Sequence, residues 1–274
     1  MTAPSAAVSN RASITVSADP SVQYLLRIGD TCLVMAQRLA EWCGHAPMLE
    51  EDIALSNMAL DLVGQARAVL TRAGQLEGER GGERGDQGHD EDQLAFLREE
   101  RDFRNVTLVE LPRGDFAATT LRNLAMATFL HLLWQRLELS SDAELAGIAG
   151  KAVKESRYHQ EHAADWLVRL GDGTQESTTR MKAAIDWLWP YMAELFETDA
   201  VDEAASASKL GPRWSDLKDD WNAEMASVIA AAGLTLPAER AFRSTGRLGR
   251  HSEHLGFILA EMQHLQRSFP GGVW

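Results

Sequence analysis

Along most of the chain, hydrophobic residues recur at the three- and four-residue steps of a helix. No stretch alternates apolar and polar positions with the β-branched enrichment of a strand. Tyr24 to Cys43 is nearly continuous in apolar residues, broken by Arg27, Asp30, Thr31, Gln37, Arg38 and Glu41. Such a segment predicts a helix buried on most of its surface, central in a bundle. Gly44-His45-Ala46-Pro47 ends it. Leu49 to Ala73 is the second predicted helix, opened by Glu50, Glu51 and Asp52, which suit a helix N-terminus, and carrying Asn57, Asp61 and Gln65 as a polar stripe. Gly74 to Asp92 is dominated by Gly, Glu, Arg and Asp with little to bury, and reads as a solvated loop, most flexible over 77–91. One or two short helices follow, up to Glu110. Phe116 to Leu139 is the third long helix, with Asp115 placed to cap it. The fourth starts at Ser140-Ser141-Asp142 and runs to Leu170, stopped by Gly171. Three more are predicted: one to about Glu197, one over about 215–232, and a last from Arg250 to Phe269, ended by Pro270-Gly271-Gly272.

These elements predict an all-α fold of four long helices with additional helices packed on, an up-and-down bundle in architecture. Residues 1–20, small and polar, read as a disordered tail, and 21–274 as one helical domain.

Composition narrows the function. Hydrophobic residues make up 45% of the 274 and charged residues 24%, ordinary for a globular domain. The formal net charge of −13 argues against a nucleic-acid or anionic-membrane surface. Cys32 and Cys43 lie about three turns apart along one helical pattern, on the order of 16 Å, too far to pair. The N-terminus lacks a continuous apolar signal region and no apolar run reaches spanning length, so the cytoplasm is the expected location.

The fourth helix carries the chemistry. At helical spacing Lys151, Glu155, Tyr158 or His159, His162 and Trp166 share a face. Bundles that hold a carboxylate-bridged iron pair use Glu-x-x-His on each of two helices and a single Glu on each of two others. Here three residues after Glu155 stands Tyr158, with His159 one place late, and three residues after Asp61 stands Gly64. Glu41 is the single carboxylate of the first helix, and the third has His131 but no mid-helix carboxylate. Glu261-x-x-His264 in the last helix is the one match within predicted helix, and a surface pair is its plain reading. We therefore expect no metal in this chain, and a buried hydrogen-bond network of Glu41, Asp61, Glu155, Tyr158 and His159 at a vestigial metal position. Arg240, Arg243, Arg247 and Arg250 form a basic cluster before the last helix. With Gly246 and Gly249 beside them, Arg243, Arg247 and Arg250 read as an anion-binding edge for a partner's carboxylates or for CoA phosphates. A solvated loop is the alternative.

Several segments together carry a resemblance. Arg27-Ile-Gly-Asp30, the run from Gln37 to Pro47, Ala59 to Arg67, Lys154 to His159, His251 to Gly256 and Ala260 to Arg267 are similar to the C-subunit family of the bacterial phenylacetyl-CoA epoxidases. The likeness runs from about residue 21 to Trp274. It implies a ferritin-like bundle and a non-catalytic structural role in a multicomponent oxygenase that epoxidises the ring of phenylacetyl-CoA. It further implies a catalytic A subunit as partner, with the di-iron centre there, and a reductase bearing flavin and iron–sulfur. Phenylacetyl-CoA at the interface is a further possible contact. Two other readings stand beside it: a ferritin-like oxidase with its own metal site, and a CoA-thioester-binding helical module.

Overall fold

A computed structural model describes residues 13–81, 88–238, 241–270 and 272. Four long helices form the bundle: α1 (Pro20–Ala40), α2 (Leu49–Glu79), α5 (Phe116–Leu137) and α6 (Ala143–Gly171). They pair as two hairpins, α1 with α2 and α5 with α6, and α2 closes the bundle against α6. Between the hairpins run the short α3 (Glu91–Phe96) and α4 (Thr107–Glu110). The chain then adds α7 (Gln175–Leu188), α8 (Ala200–Ala207), α9 (Lys218–Ala231) and α10 (Glu253–Ser268). Of these, α7 and α9 pack on α5, α8 packs on α1, and α10 lies against α3 and α4. No strand occurs among the described residues, only an isolated antiparallel bridge between Thr245 and Arg250.

Local sequence explains the helix starts. Asp19 accepts from Ser21 N at 2.8 Å, with Pro20 in the first turn of α1. Asp115 accepts from Ala118 N and Asp142 from Leu145 N, both at 2.9 Å, capping α5 and α6 as expected. α1 is buried on almost every side, as its apolar run requires. Gly29 lets α1 approach α2, since a Cβ there would press on the Leu70 side chain.

Three expectations change. The tail expected over 1–20 is docked from residue 13: Ile14 N donates to Leu97 O at 3.0 Å, and Ile14 and Val16 pack on the core. The start of that tail, 1–12, lies outside the described residues. The solvated loop expected from Gly74 begins as helix instead. α2 continues to Glu79, and Glu77 is buried, accepting from Ser17 N at 2.9 Å, His89 N at 3.0 Å and His89 Nδ1 at 2.6 Å. The glycines there serve a close crossing: a Cβ on Gly74 would overlap the His89 carbonyl oxygen. Residues 82–87 lie outside the described set. Finally, the fifth helix ends at Leu188, because Pro190 turns its continuation into the 3-10 segment Trp189–Phe196, and α8 is an element that the periodicity does not predict.

Candidate functional site

The interior of the bundle, where a metal pair would need its ligands, is mostly apolar, with the buried Asn123 and His159 in its wall. Met35 and Leu39 from α1, Met58 and Leu62 from α2, and Met126 and Leu130 from α5 fill it. Between them remains a void of about 10 Å³, no larger than one water. Cys32 is fully buried, its sulfur 3.8 Å from Gln65 Oε1. Burial, with Asp30 and Glu155 nearby, pushes its thiol up to about 12, so it is an inert core residue.

The polar side chains of α2 and α6 meet as separate rungs along the seam between those helices. His159 is buried, with Nε2 3.0 Å from Asp61 Oδ2. Glu155 Oε2 accepts from Gln65 Nε2 at 3.0 Å, and its other oxygen lies 3.4 Å from the exposed Lys151 ammonium. His162 Nε2 stands 3.1 Å from Glu51, at ion-pair distance. Burial holds His159 below the usual imidazole range, and Asp61 offsets this only in part. Of the expected network, Asp61, Glu155 and His159 are therefore on the seam, each with its own partner.

Two members do not belong to it. Glu41 lies just past the end of α1, exposed, and pairs with Arg38. Tyr158 is 52% exposed, its ring 6.2 Å from that of His159 and 6.1 Å from that of His162. The reason is helical geometry: one residue before His159 is ~100° around the helix, so burying the histidine turns the phenol outward. His131 faces away, its Nδ1 3.1 Å from Val153 O. An iron pair requires four carboxylates and two histidines converging on one point. The side chains present do not supply that set. Among the described residues, no three His, Cys, Asp or Glu side chains are grouped closely enough to hold a metal ion.

The arginine cluster is also rearranged. Arg247 is buried, its guanidinium 2.7 Å from Asp202 Oδ2 and 2.7 Å from Glu197 O, and it lies over Trp214 at 4.2 Å. It is thus a core ion pair and cannot present a surface edge. Arg243 pairs with Glu197 at 2.9 Å, and Arg250 is exposed. Arg240 lies outside the described residues. Gly246 and Gly249, read as allowing a ligand to approach, allow the chain itself to approach: a Cβ on Gly246 would meet Asn105 O and Thr107. Gly249 has a φ of +76° and sits on Arg101 O.

The most extensive buried polar networks lie elsewhere and have no local signature as networks. Asp30 and Arg98 are both fully buried and form a two-pronged pair. Arg104 N donates to Asp30 at 2.8 Å. Arg27 pairs with Asp199 and, at 3.2 Å, with Asp202, which also holds Arg247. Glu110 meets His251 Nδ1 at 2.7 Å, and Glu194 accepts from Thr107 N at 3.0 Å and from Arg247 N at 2.8 Å. Burial favours a neutral Asp199, but the Arg27 guanidinium outweighs it and brings the carboxyl down to about 2. Asp202, more deeply buried, goes the other way, raised by desolvation against the pull of Arg247 and Arg27. The signal for these pairs is the presence of Arg27 and Asp30 inside an apolar run, since a charge there must find a partner. Their partners are far away in sequence.

A bundle of two helical hairpins with long α1, α2, α5 and α6 is ferritin-like, and its interior has apolar side chains where such bundles hold metal. The chain belongs to the family described as phenylacetic acid catabolic protein, whose model matches residues 2–274. A relative from Escherichia coli (strain K12), the C subunit of 1,2-phenylacetyl-CoA epoxidase, is 48% identical over 251 residues, covering 92% of this chain and 98% of that protein. No helix among the described residues is long and apolar enough to cross a membrane.

Proposed function

We propose that this chain is a non-catalytic, structural subunit of a cytoplasmic phenylacetyl-CoA epoxidase, working beside a catalytic subunit that carries the di-iron centre. The observation behind this reading is the packing of Met35, Met58, Leu62, Met126 and Leu130 in the bundle interior, together with the pairing of Asp61, Glu155 and His159 one by one. Ligand residues that pair one by one on separate rungs, beside a mostly apolar interior, speak against a carboxylate-bridged centre in this chain. The name of the 48% identical relative supplies the assembly and the substrate. What this chain contributes is a bundle of matching shape with stability independent of metal. The flavin and iron–sulfur groups of the electron-transfer chain belong, on this reading, to a separate reductase.

Anaerobic loading of the purified chain with ferrous iron, followed by elemental analysis, tests it. Well under one iron per chain is expected. Two irons per chain with an oxo-bridge absorption band would overturn the structural reading and favour an oxidase with its own centre.

A further inference from the structure

A pocket of about 290 Å³ lies between the 3-10 segment Trp189–Phe196 and α9, with Leu236 and Pro237 at its edge. None of its lining residues belongs to the four bundle helices, so it is separate from the bundle interior and from the seam of α2 and α6. Its walls are aromatic: Trp189, Phe196 and Trp221 line it. The Trp221 ring is 5.8 Å from that of Trp189, tilted by 41°, and 5.2 Å from that of Phe196. These walls are held by contacts of their own. Trp221 is buried, and its Nε1 donates to Ala125 O at 2.9 Å, which ties the indole to α5. Phe196 packs edge-on against Phe129, with ring centres 6.1 Å apart. Trp189 stands where Pro190 turns the chain out of α7. The charged and amide side chains at the pocket both come from α9. Lys218 and Asn222 are four residues apart, share one face of that helix and are exposed.

We propose that this pocket binds a small monocyclic aromatic acid, with the ring against Trp189, Trp221 and Phe196 and the carboxylate at Lys218 and Asn222. Size sets the ligand class. An apolar cavity of roughly 150 Å³ takes one benzene ring, and drug-sized ligands fill roughly 300–1,000 Å³. A pocket of about 290 Å³ matches one ring with a short tail. The walls select the ring, because an edge-to-face or offset contact between aromatic groups adds roughly two- to ten-fold in affinity beyond the area it buries. The α9 groups select the tail. Lys218 only donates and Asn222 can donate, so the tail is an acceptor, and the ammonium favours an anion. Lys218 also has a partner within the chain, and an ammonium with three N–H groups can serve a second acceptor. An aromatic amine would meet it as a like charge. The neighbouring acids of α9, Asp219 and Asp220, do not line the pocket, and Asp220 lies 3.2 Å from Arg136. The site does not depend on the structural role proposed above, since nothing in it turns on whether the bundle holds metal.

Titration of the full chain with phenylacetate, read by calorimetry and by saturation-transfer NMR, is the test. For a ligand of about ten heavy atoms, saturable one-to-one binding with a dissociation constant on the order of 0.1–1 mM is expected. Cyclohexylacetate has the same charge and a saturated ring, and should bind roughly two- to ten-fold more weakly. Ala193→Phe places a ring inside the pocket and should weaken phenylacetate binding by roughly ten-fold or more. Lys218→Gln, at an exposed site, should weaken it several-fold and leave the melting temperature within a few degrees of wild type. Phe257→Ser, at a 67% exposed site on α10, should leave binding unchanged. No saturable binding by the wild-type chain up to about 10 mM would overturn the proposal, whatever the variants do. So would cyclohexylacetate binding as tightly as phenylacetate, which would remove the aromatic walls from the recognition. Unchanged affinity in folded Ala193→Phe, or loss of affinity in Phe257→Ser, would place the ligand elsewhere and refute this site. Should Ala193→Phe fail to fold, Lys218→Gln decides in its place: unchanged affinity there would refute the assignment of the carboxylate to α9.

Discussion

Replacing Asp30 by alanine tests the claim that this fold is closed by ion pairs between distant segments. Asp30 and Arg98 are each 0% exposed. Arg98 reaches Asp30 with both terminal nitrogens, one at 2.9 Å, and Arg104 donates its backbone N–H at 2.8 Å. The guanidinium also lies 4.2 Å from the Phe103 ring and donates to Asp102 O at 3.1 Å. Alanine removes the carboxylate that neutralises Arg98 and leaves a buried cation, at a cost of about 3–5 kcal/mol. The stranded Arg104 N–H adds about 1 kcal/mol. For a domain of this size each kcal/mol corresponds to roughly 2–4 °C, so the melting temperature should fall by on the order of 10–20 °C. Circular dichroism on heating, at fixed pH and protein concentration, reads this directly. Asp30→Leu combined with Arg98→Met removes both charges and should recover most of the loss, because an apolar pair of similar volume costs little. A single variant within 2 °C of wild type would refute the reasoning, as would a double variant no better than the single.

Other perturbations probe other parts of the structure. The His251 imidazole is held above its ordinary range: burial lowers it, but the bond to Glu110 outweighs burial. Its stabilising contribution is therefore complete below about pH 6.5 and is lost as pH rises through the raised value, so urea midpoints should decline from pH 6 to pH 9, and His251→Gln should flatten that decline. His159 has the opposite sign. Lowered chiefly by burial, it supports the fold above about pH 6.5 and withdraws support as pH falls, and His159→Gln should flatten the acid limb of the same profile. Glu155→Ala should cost only about 1 kcal/mol in chemical denaturation, since Lys151 is 80% exposed and stays solvated; a loss of 3 kcal/mol or more would mean that a buried cation had been stranded. Gly74→Ala should cost about 3 kcal/mol or prevent folding because of the His89 carbonyl, whereas Gly64→Ala should stabilise by roughly 0.5–1 kcal/mol; melting temperatures of the pair in the reverse order would refute the crossing of α2 by residues 88–89.

Periodicity and caps made the bundle legible, because both are local. The apolar run from Tyr24 predicts a helix buried all round, and Asp115 and Asp142 cap α5 and α6 as their positions before apolar periods suggest. The offset of the fourth helix is also local information: with Tyr158 in the place of a histidine, the Glu-x-x-His spacing fails whatever the fold. Membership in the phenylacetic acid catabolic protein family was equally readable, from segments such as Arg27-Ile-Gly-Asp30 and His251-Ser-Glu-His. The same segments hold the buried pairs Arg27–Asp202, Asp30–Arg98 and His251–Glu110, so the residues that identify the chain are ones its tertiary structure needs.

Only the tertiary structure assigned the charges. Arg247 sits in a glycine-bordered basic cluster that reads as a surface edge, yet it is buried, because Asp202 lies on another helix 45 residues away and closes on it. The glycine-rich stretch after Ala73 reads as solvated, yet Glu77 and His89 bury each other, because Gly74 and Gly88 let the two backbone segments touch. A charged side chain carries the same local signal whether water or a distant counter-ion solvates it. Desolvation and pairing are decided by which segments meet, so the sequence alone determined the presence of the four long helices, the family and the missing ligand spacing, while the fold determined where several helices end, which charges are core, which are surface, and where Trp189 and Trp221 line an open pocket.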